Sequence, residues 1–263
     1  MGRPTVQPAG GCSNMRIVSG DNVSAWDQAA APYQSAAQLP VDVAHYGPDV
    51  GTEADFRLLG DLKGKRVLEL GCGGGQNSVA FAKQGAIAIG VDVSAEMLSF
   101  ARRLADREDV RVELRQGDMA DLAFVRADSV DLVFSANAFG FVEDLNRVFR
   151  QVHRVLRTGA PLVFSLPHPA FHLIDGRHPE LPLVVRRSYF DREPLVYERH
   201  GATFTEYHHT VAELHIALVR SSYLVDTVLE PAPTPSGPRS DDWQEAARYI
   251  PRILIIRARK QGN

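Results

Sequence analysis

The sequence predicts an α/β fold, a mostly parallel sheet with helices on both faces, and two observations predict it. Short apolar runs alternate with amphipathic helical stretches between residues 66 and 166, the pattern of strands joined by crossover helices. The first run, Arg66-Val-Leu-Glu-Leu70, feeds directly into Gly71-Cys-Gly-Gly-Gly75. Glycine lets the backbone turn sharply and lets a ligand approach it closely. In open α/β sheets, ligands bind outside the carboxyl ends of the strands.

Each element can be justified in order. Residues 1–20 are rich in Pro, Gly and Ser and predict a disordered tail, which leaves 21–263 as one domain. Ala25–Ala37 reads as short helical pieces broken by Pro32, His45-Tyr-Gly-Pro48 as a turn, and Thr52–Leu59 as a helix. After the glycines, Asn77–Gln84 is a helix stopped by Gly85, and Ala86–Val91 is an apolar strand ending at Asp92. Ser94 is an N-cap for a helix whose inner face carries Met97, Phe100, Ala101 and Leu104. Val110–Leu114 and Val130–Ser135 are the third and fourth strands.

Leu145, Val148, Phe149, Val152, Val155 and Leu156 then give a helix its apolar face. Arg147, Arg150, Arg154 and Arg157 take the other side, read as a solvated surface. Leu162–Leu166 is the fifth strand. From 171 to 207 the alternation stops, and the aromatic residues there predict an ordered insert, a β-hairpin over the ligand edge of the sheet. Thr210-Val-Ala-Glu213 is a capping box opening a helix. Tyr223–Leu229 and Ile250–Ala258 are the closing strands.

Composition narrows the partners. At 44% hydrophobic and 23% charged, the chain is ordinary for a globular protein. A formal net charge of −3 leaves no electrostatic footprint for nucleic acid. No apolar run approaches the roughly 18–20 residues of a membrane helix. Two cysteines, Cys12 and Cys72, make neither a disulfide framework nor a metal motif. The expectation is a cytoplasmic protein, monomer or homodimer, with no metal, membrane or nucleic-acid partner.

Three carboxylates stand at or just past strand ends: Glu69, Asp92 and Asp118. Asp92 lies about twenty residues beyond the glycines, where dinucleotide folds meet a ribose. An NAD-dependent oxidoreductase is therefore one reading. Against it, Gln76 stands where that fingerprint needs its third glycine, and an acidic Glu69 is a poor neighbour for a pyrophosphate. A cationic ligand suits the acid better.

Val67-Leu-Glu-Leu-Gly-Cys-Gly-Gly-Gly75 resembles the first motif of the class I S-adenosylmethionine-dependent methyltransferases. Gly90-Val-Asp-Val-Ser94, Gln116-Gly-Asp-Met-Ala120 and Ser129-Val-Asp-Leu-Val-Phe-Ser135 follow in that family's order and spacing. Arg154-Val-Leu-Arg-Thr-Gly159 resembles a further segment, with Thr158 and Ala160 departing from its usual form.

The resemblance implies a Rossmann-like, seven-stranded sheet whose last strand, Ile250–Ala258, runs antiparallel. It implies S-adenosyl-L-methionine as cofactor, with Gly71 and Gly73 bringing backbone to its methionine part and Glu69 near its ammonium group. Asp92 would take both ribose hydroxyls, Met97 would lie on the adenine, and Asp118 with the Met119 backbone would hold the adenine amino group. Ala136 and Asn137 would line the sulfonium end, and Tyr46 would close over the cofactor. Cys72 and Val93 belong to the same implied set.

The acceptor side carries two candidate bases, since imidazole titrates near neutral pH. One is His168, between Pro167 and Pro169. The other is His208, in Glu206-Tyr-His208-His209-Thr210. The insert, with Ser188-Tyr-Phe-Asp-Arg192, resembles that of bacterial small-molecule methyltransferases, where it lies over the acceptor pocket. Ser135-Ala-Asn-Ala-Phe139 lacks the Pro-Pro-aromatic run of enzymes that methylate nucleobase amino groups. The expected reaction is O- or N-methylation, ahead of C-methylation, of a small molecule such as a natural product. The alternative within the fold is a protein that uses the cofactor structurally and catalyses another reaction.

Overall fold

The computed structural model describes residues 22–37, 39–174 and 183–262. The tail expected over residues 1–20 lies outside the described residues, as does the 175–182 part of the insert. Five apolar runs pair in parallel: β1 (Arg66–Leu70), β2 (Ile87–Asp92), β3 (Val112–Gln116), β4 (Leu132–Ala136) and β5 (Pro161–Pro167). A hairpin follows, β6 (Leu195–Arg199) and β7 (Ala202–Glu206), and then β8 (Tyr223–Leu229) and β9 (Ile253–Lys260). The main sheet has seven strands in the order β3-β2-β1-β4-β5-β9-β8, with β9 antiparallel to both of its neighbours.

The chain leaves β1 toward β2 and β3, then returns to β4 on the other side. That reversal between β1 and β4 opens a crevice at the strands' carboxyl ends.

The alternation along β1 explains how the two faces are filled. Leu68 and Leu70 join Ile89, Val91, Phe149 and Phe164 in one core, while Val67 joins Phe81, Leu132, Phe134 and Ile255 in the other. The helices α1 (Asn22–Ala36), α2 (Glu53–Phe56), α3 (Gln76–Lys83), α4 (Ala95–Arg107), α5 (Leu145–Val155) and α6 (Val211–Arg220) surround it. Ser94 Oγ caps α4 by accepting from Met97 N at 3.0 Å, and the Thr210–Glu213 capping box opens α6 as expected.

Four expectations need correction. Residues 22–36 form one helix through Pro32, not broken pieces. A missing N–H weakens a helix, but tertiary contacts along α1 hold it. The helix expected over Thr52–Leu59 shrinks to four residues, because the Glu53 carboxylate itself takes the N–H groups of Leu58 and Leu59 at 3.0 and 2.7 Å. β3, β4 and β9 begin two or three residues later than their apolar patterns do.

The arginine face of α5 is also more than a solvated surface. Arg147 Nε donates to the Ala120 carbonyl at 3.1 Å, and Arg154 donates to the carbonyls of Val125 and Leu122 at 2.8 and 2.6 Å. The helix thereby clamps the loop after β3. Among the described residues, no helix is long and apolar enough to cross a membrane.

Candidate active site

The crevice at the ends of β1, β2 and β4 opens into a cleft of about 1300 Å³. Its floor is made of backbone. Gly71 N and Cys72 N donate to the Val91 carbonyl at 2.8 and 3.0 Å, which fastens the turn to β2. Gly71 has φ 68°, and a Cβ there would lie 2.2 Å from that of Ala138, so only glycine fits. Gly73, at φ 52°, faces open space.

Asp92 anchors this turn from the tip of β2. Its Oδ2 accepts from Gly73 N at 2.8 Å and its Oδ1 from Ser94 N at 2.9 Å. Burial raises its carboxyl pKa, and these N–H groups work against that rise. Val93, Met97, Asp118 and Met119 continue the wall. Met97 is buried, with Gln34 Nε2 at 3.6 Å from its sulfur. Asp118 is exposed, and its Oδ1 accepts from Ala120 N at 2.8 Å. Ala136 and Asn137 close the wall after β4. Asn137 has φ 55°, and its Oδ1 is buried with no hydrogen-bond partner among the described residues.

Three residues of the expected cofactor set do not line the cleft. Glu69 points into the sheet–α3 layer, where Ser78 Oγ donates to it at 2.5 Å. Burial pushes its carboxyl up to about 8. It ties β1 to the first turns of α3. Cys72 is packed against Gly90, and burial raises its thiol pKa. Tyr46 lies in the core between Phe56 and Phe134, at ring distances of 5.6 and 5.5 Å, and its hydroxyl donates to Glu53 at 2.5 Å. Its neighbours His45 and Gly47 line the cleft instead, since alternate residues of an extended segment face opposite ways.

The aromatic cover comes from the hairpin, as expected over the ligand edge, and from α1, which the sequence reading missed. Trp26, Tyr33 and Tyr197 line the cleft, and Trp26 packs on Phe141 and Phe204 at 5.2 and 4.8 Å. Polar side chains pin α1 across the site. Asp27 accepts from Ser94 Oγ at 2.6 Å, Gln34 accepts from Gln76 at 2.6 Å, and Asn22 bonds the Thr205 backbone in both directions at 2.9 and 3.0 Å. Across the cleft, Arg252 bridges Asp49 at 2.8 Å and Asp242 at 2.6 Å, which holds the loop before β9 in place.

Neither expected base lines the cleft. His168 has both ring nitrogens engaged: Nδ1 accepts from Ala170 N at 3.1 Å, and Nε2 lies 2.8 Å from Glu230 Oε1. Burial lowers its pKa. It is a turn-holding histidine. His208 is also buried, with Nε2 at 3.0 Å from the Tyr189 carbonyl and Nδ1 at 3.3 Å from His172 Nδ1. Beside them, His172 and Glu206 do reach the cleft, with Nε2 and Oε1 3.3 Å apart. His172 follows β5 in a short 3-10 turn (Phe171–Leu173), and Glu206 ends β7. One closes a strand and the other lies in the turn after one, and position at a strand end is the signal that could have found them.

Residues 68–164 match a family described as a methyltransferase domain. The chain is 38% identical over 104 residues to a ubiquinone biosynthesis O-methyltransferase of Hahella chejuensis, a match covering 40% of this chain and 44% of that protein. The chain thus spans less than half the length of that curated relative. It is 27% identical to an uncharacterized protein of Haemophilus influenzae, over 77% of this chain and 84% of that one. It resembles the crystal structure of a putative S-adenosylmethionine-dependent methyltransferase from Listeria monocytogenes, with TM-score 0.66 and 28% identity, over 79% of this chain and 96% of that one. Residues 68–164 thus carry the match to a methyltransferase domain, and over most of its length the chain is similar in fold to S-adenosylmethionine-dependent methyltransferases.

Proposed function

We propose that the protein transfers a methyl group from S-adenosylmethionine to an oxygen or nitrogen of a small molecule. The observation that carries this reading is the turn Gly71–Gly75 fastened to Asp92, opening on the same cleft as Asn137 and the insert. The residues present fit the cofactor. Gly73 leaves space for a ligand where a side chain would fill it. Asp92 keeps acceptor capacity on both oxygens for a pair of ribose hydroxyls, because each already-used oxygen has a second lone pair. Asp118 and Met97 are at hand for the adenine, and Asn137 for the sulfonium end.

When bound, the cofactor supplies an electrophilic methyl group on a positively charged sulfur. The protein's part is to hold the acceptor atom in line behind that methyl and keep water out. Trp26, Tyr33 and Tyr197 supply the cover. The Hahella relative is named as an O-methyltransferase, which supports oxygen as the receiving atom.

Gln76, bonded to Gln34 rather than replaced by glycine, disfavours the dinucleotide reading. Calorimetry with S-adenosylmethionine tests the donor, and micromolar binding is expected. Release of S-adenosylhomocysteine with candidate acceptors tests transfer. Tight binding without release across acceptors would favour a cofactor-holding protein with another reaction.

A further inference from the structure

Two buried polar atoms, His172 Nε2 and Glu206 Oε1, stand side by side on the acceptor wall of the cleft, and a hydrogen-bond chain holds His172 from behind. The Tyr189 carbonyl can only accept, so His208 Nε2, 3.0 Å away, carries a proton. Burial, with the neighbouring His172 adding to it, favours neutral His208, whose Nδ1 is then a lone pair. That lone pair faces His172 Nδ1 at 3.3 Å, so His172 supplies the proton there. With its Nδ1 turned to His208, His172 presents Nε2 to Glu206 Oε1 at 3.3 Å.

Glu206 is fixed just as firmly. The Tyr197 hydroxyl bonds its carboxylate. Tyr207 N donates to the Gly140 carbonyl at 2.7 Å, and a Cβ on Gly140 would come within 2.9 Å of Oε1. His172 Nε2 and Glu206 Oε1 are both buried, and neither has a hydrogen-bond partner among the described residues. Buried polar atoms without partners are costly, so this pair fits a ligand that brings a hydrogen-bonding group. Gly140 lies three residues past Asn137 in the segment after β4, and Asn137 lines the same cleft as the pair. Trp26, Phe141 and Phe171 supply apolar surface in the same cleft.

We infer that His172 and Glu206 together take the proton of the group being methylated, and that the acceptor is an O–H or N–H compound with an apolar, aromatic-sized body. The inference rests on the methyl-transfer reading of the cleft. In the step, a lone pair on the acceptor atom forms the bond to the methyl carbon. The carbon–sulfur bond breaks, and its electrons stay on the sulfur, which becomes a neutral thioether. The acceptor's proton goes to His172 Nε2, and the Glu206 carboxylate offsets the positive charge formed. His208 is a positioning residue that keeps His172 in the required tautomer. The other titratable groups interacting with the pair are His168 after β5, His209 after β7 and Tyr197 on β6.

The test uses the full chain with S-adenosylmethionine and nitrocatechol, an aromatic O–H probe whose ionised form absorbs visible light. Wild type is expected to release S-adenosylhomocysteine. Glu206→Gln and His172→Gln should each lower kcat about 100-fold, with KM for the probe and cofactor affinity nearly unchanged. Their residual rates should climb with pH as the probe ionises in solution. Variants with wild-type rate and pH profile would overturn the inference, and so would variants whose loss is entirely of cofactor affinity. Cofactor-loaded wild type that neither binds nor methylates the probe overturns the acceptor class. Wild type that fails to bind the cofactor is a separate result, seen before the probe is added, and removes the underlying reading along with the inference.

Discussion

The two halves of the cleft are built in different ways. The donor half, from Gly71 through Asp92 to Asp118, consists of turns at the ends of adjacent parallel strands, held by backbone N–H groups and one carboxylate. The acceptor half is assembled from side chains far apart in the chain. Asn22 meets Thr205 across 183 positions, Ser240 meets Asp49 across 191, and Arg252 meets Asp49 across 203. The first half inherits its geometry from the sheet. The second exists only once α1, the hairpin and the loop before β9 have closed on one another. A donor site can therefore stay constant while the acceptor site is exchanged.

The largest expected effect lies in the donor half. Asp92→Ala removes the acceptor for both Gly73 N and Ser94 N as well as the proposed ribose contact. Hydrogen bonds to a charged group contribute about 1.5–3 kcal/mol each, so cofactor affinity should fall about 100-fold or more. Calorimetry checks this, and an unchanged affinity would break the assignment of this half.

The next effect separates the halves. Trp26→Ala removes the ring that joins α1 to Phe141 and Phe204, at a cost of about 2 kcal/mol for a half-buried aromatic. Amide exchange should quicken in α1 and the hairpin while β1, β2 and β4 remain protected. Uniform loss of protection would mean that the two halves fold as one.

The smallest effect sharpens the boundary between them. Tyr46→Phe loses only the bond to Glu53, which should lower stability by about 1 kcal/mol. A thermal melt would show the drop, with cofactor affinity unchanged. A loss of affinity would return Tyr46 to the cleft.

What could be read in advance divides along the same line. Val67, Leu68 and Leu70 announce a buried strand, Gly71 and Gly73 a sharp turn, and Asp92 an acid at the next strand's tip. All of that is local pattern, and the seven-stranded order follows it. Glu69 shows the limit of such reading. It lies at the strand end that suggests a ligand contact, but β1 alternates, and the face it occupies is the one covered by α3. His168 and His208 had the right chemistry and the wrong direction, and the direction was set by Ala170, Glu230 and Tyr189. No sequence spacing reveals those partners.

The sequence by itself determined the strand–turn–helix alternation, the glycine turn and the acids that follow it, because backbone periodicity and glycine's freedom at positive φ act over a few residues. Only the tertiary structure decided which histidines reach the cleft, which aromatics cover it, and that Tyr46 belongs to the core. Those outcomes depend on contacts between distant segments, and a side chain's role there is set by the lone pairs and N–H groups that folding brings next to it.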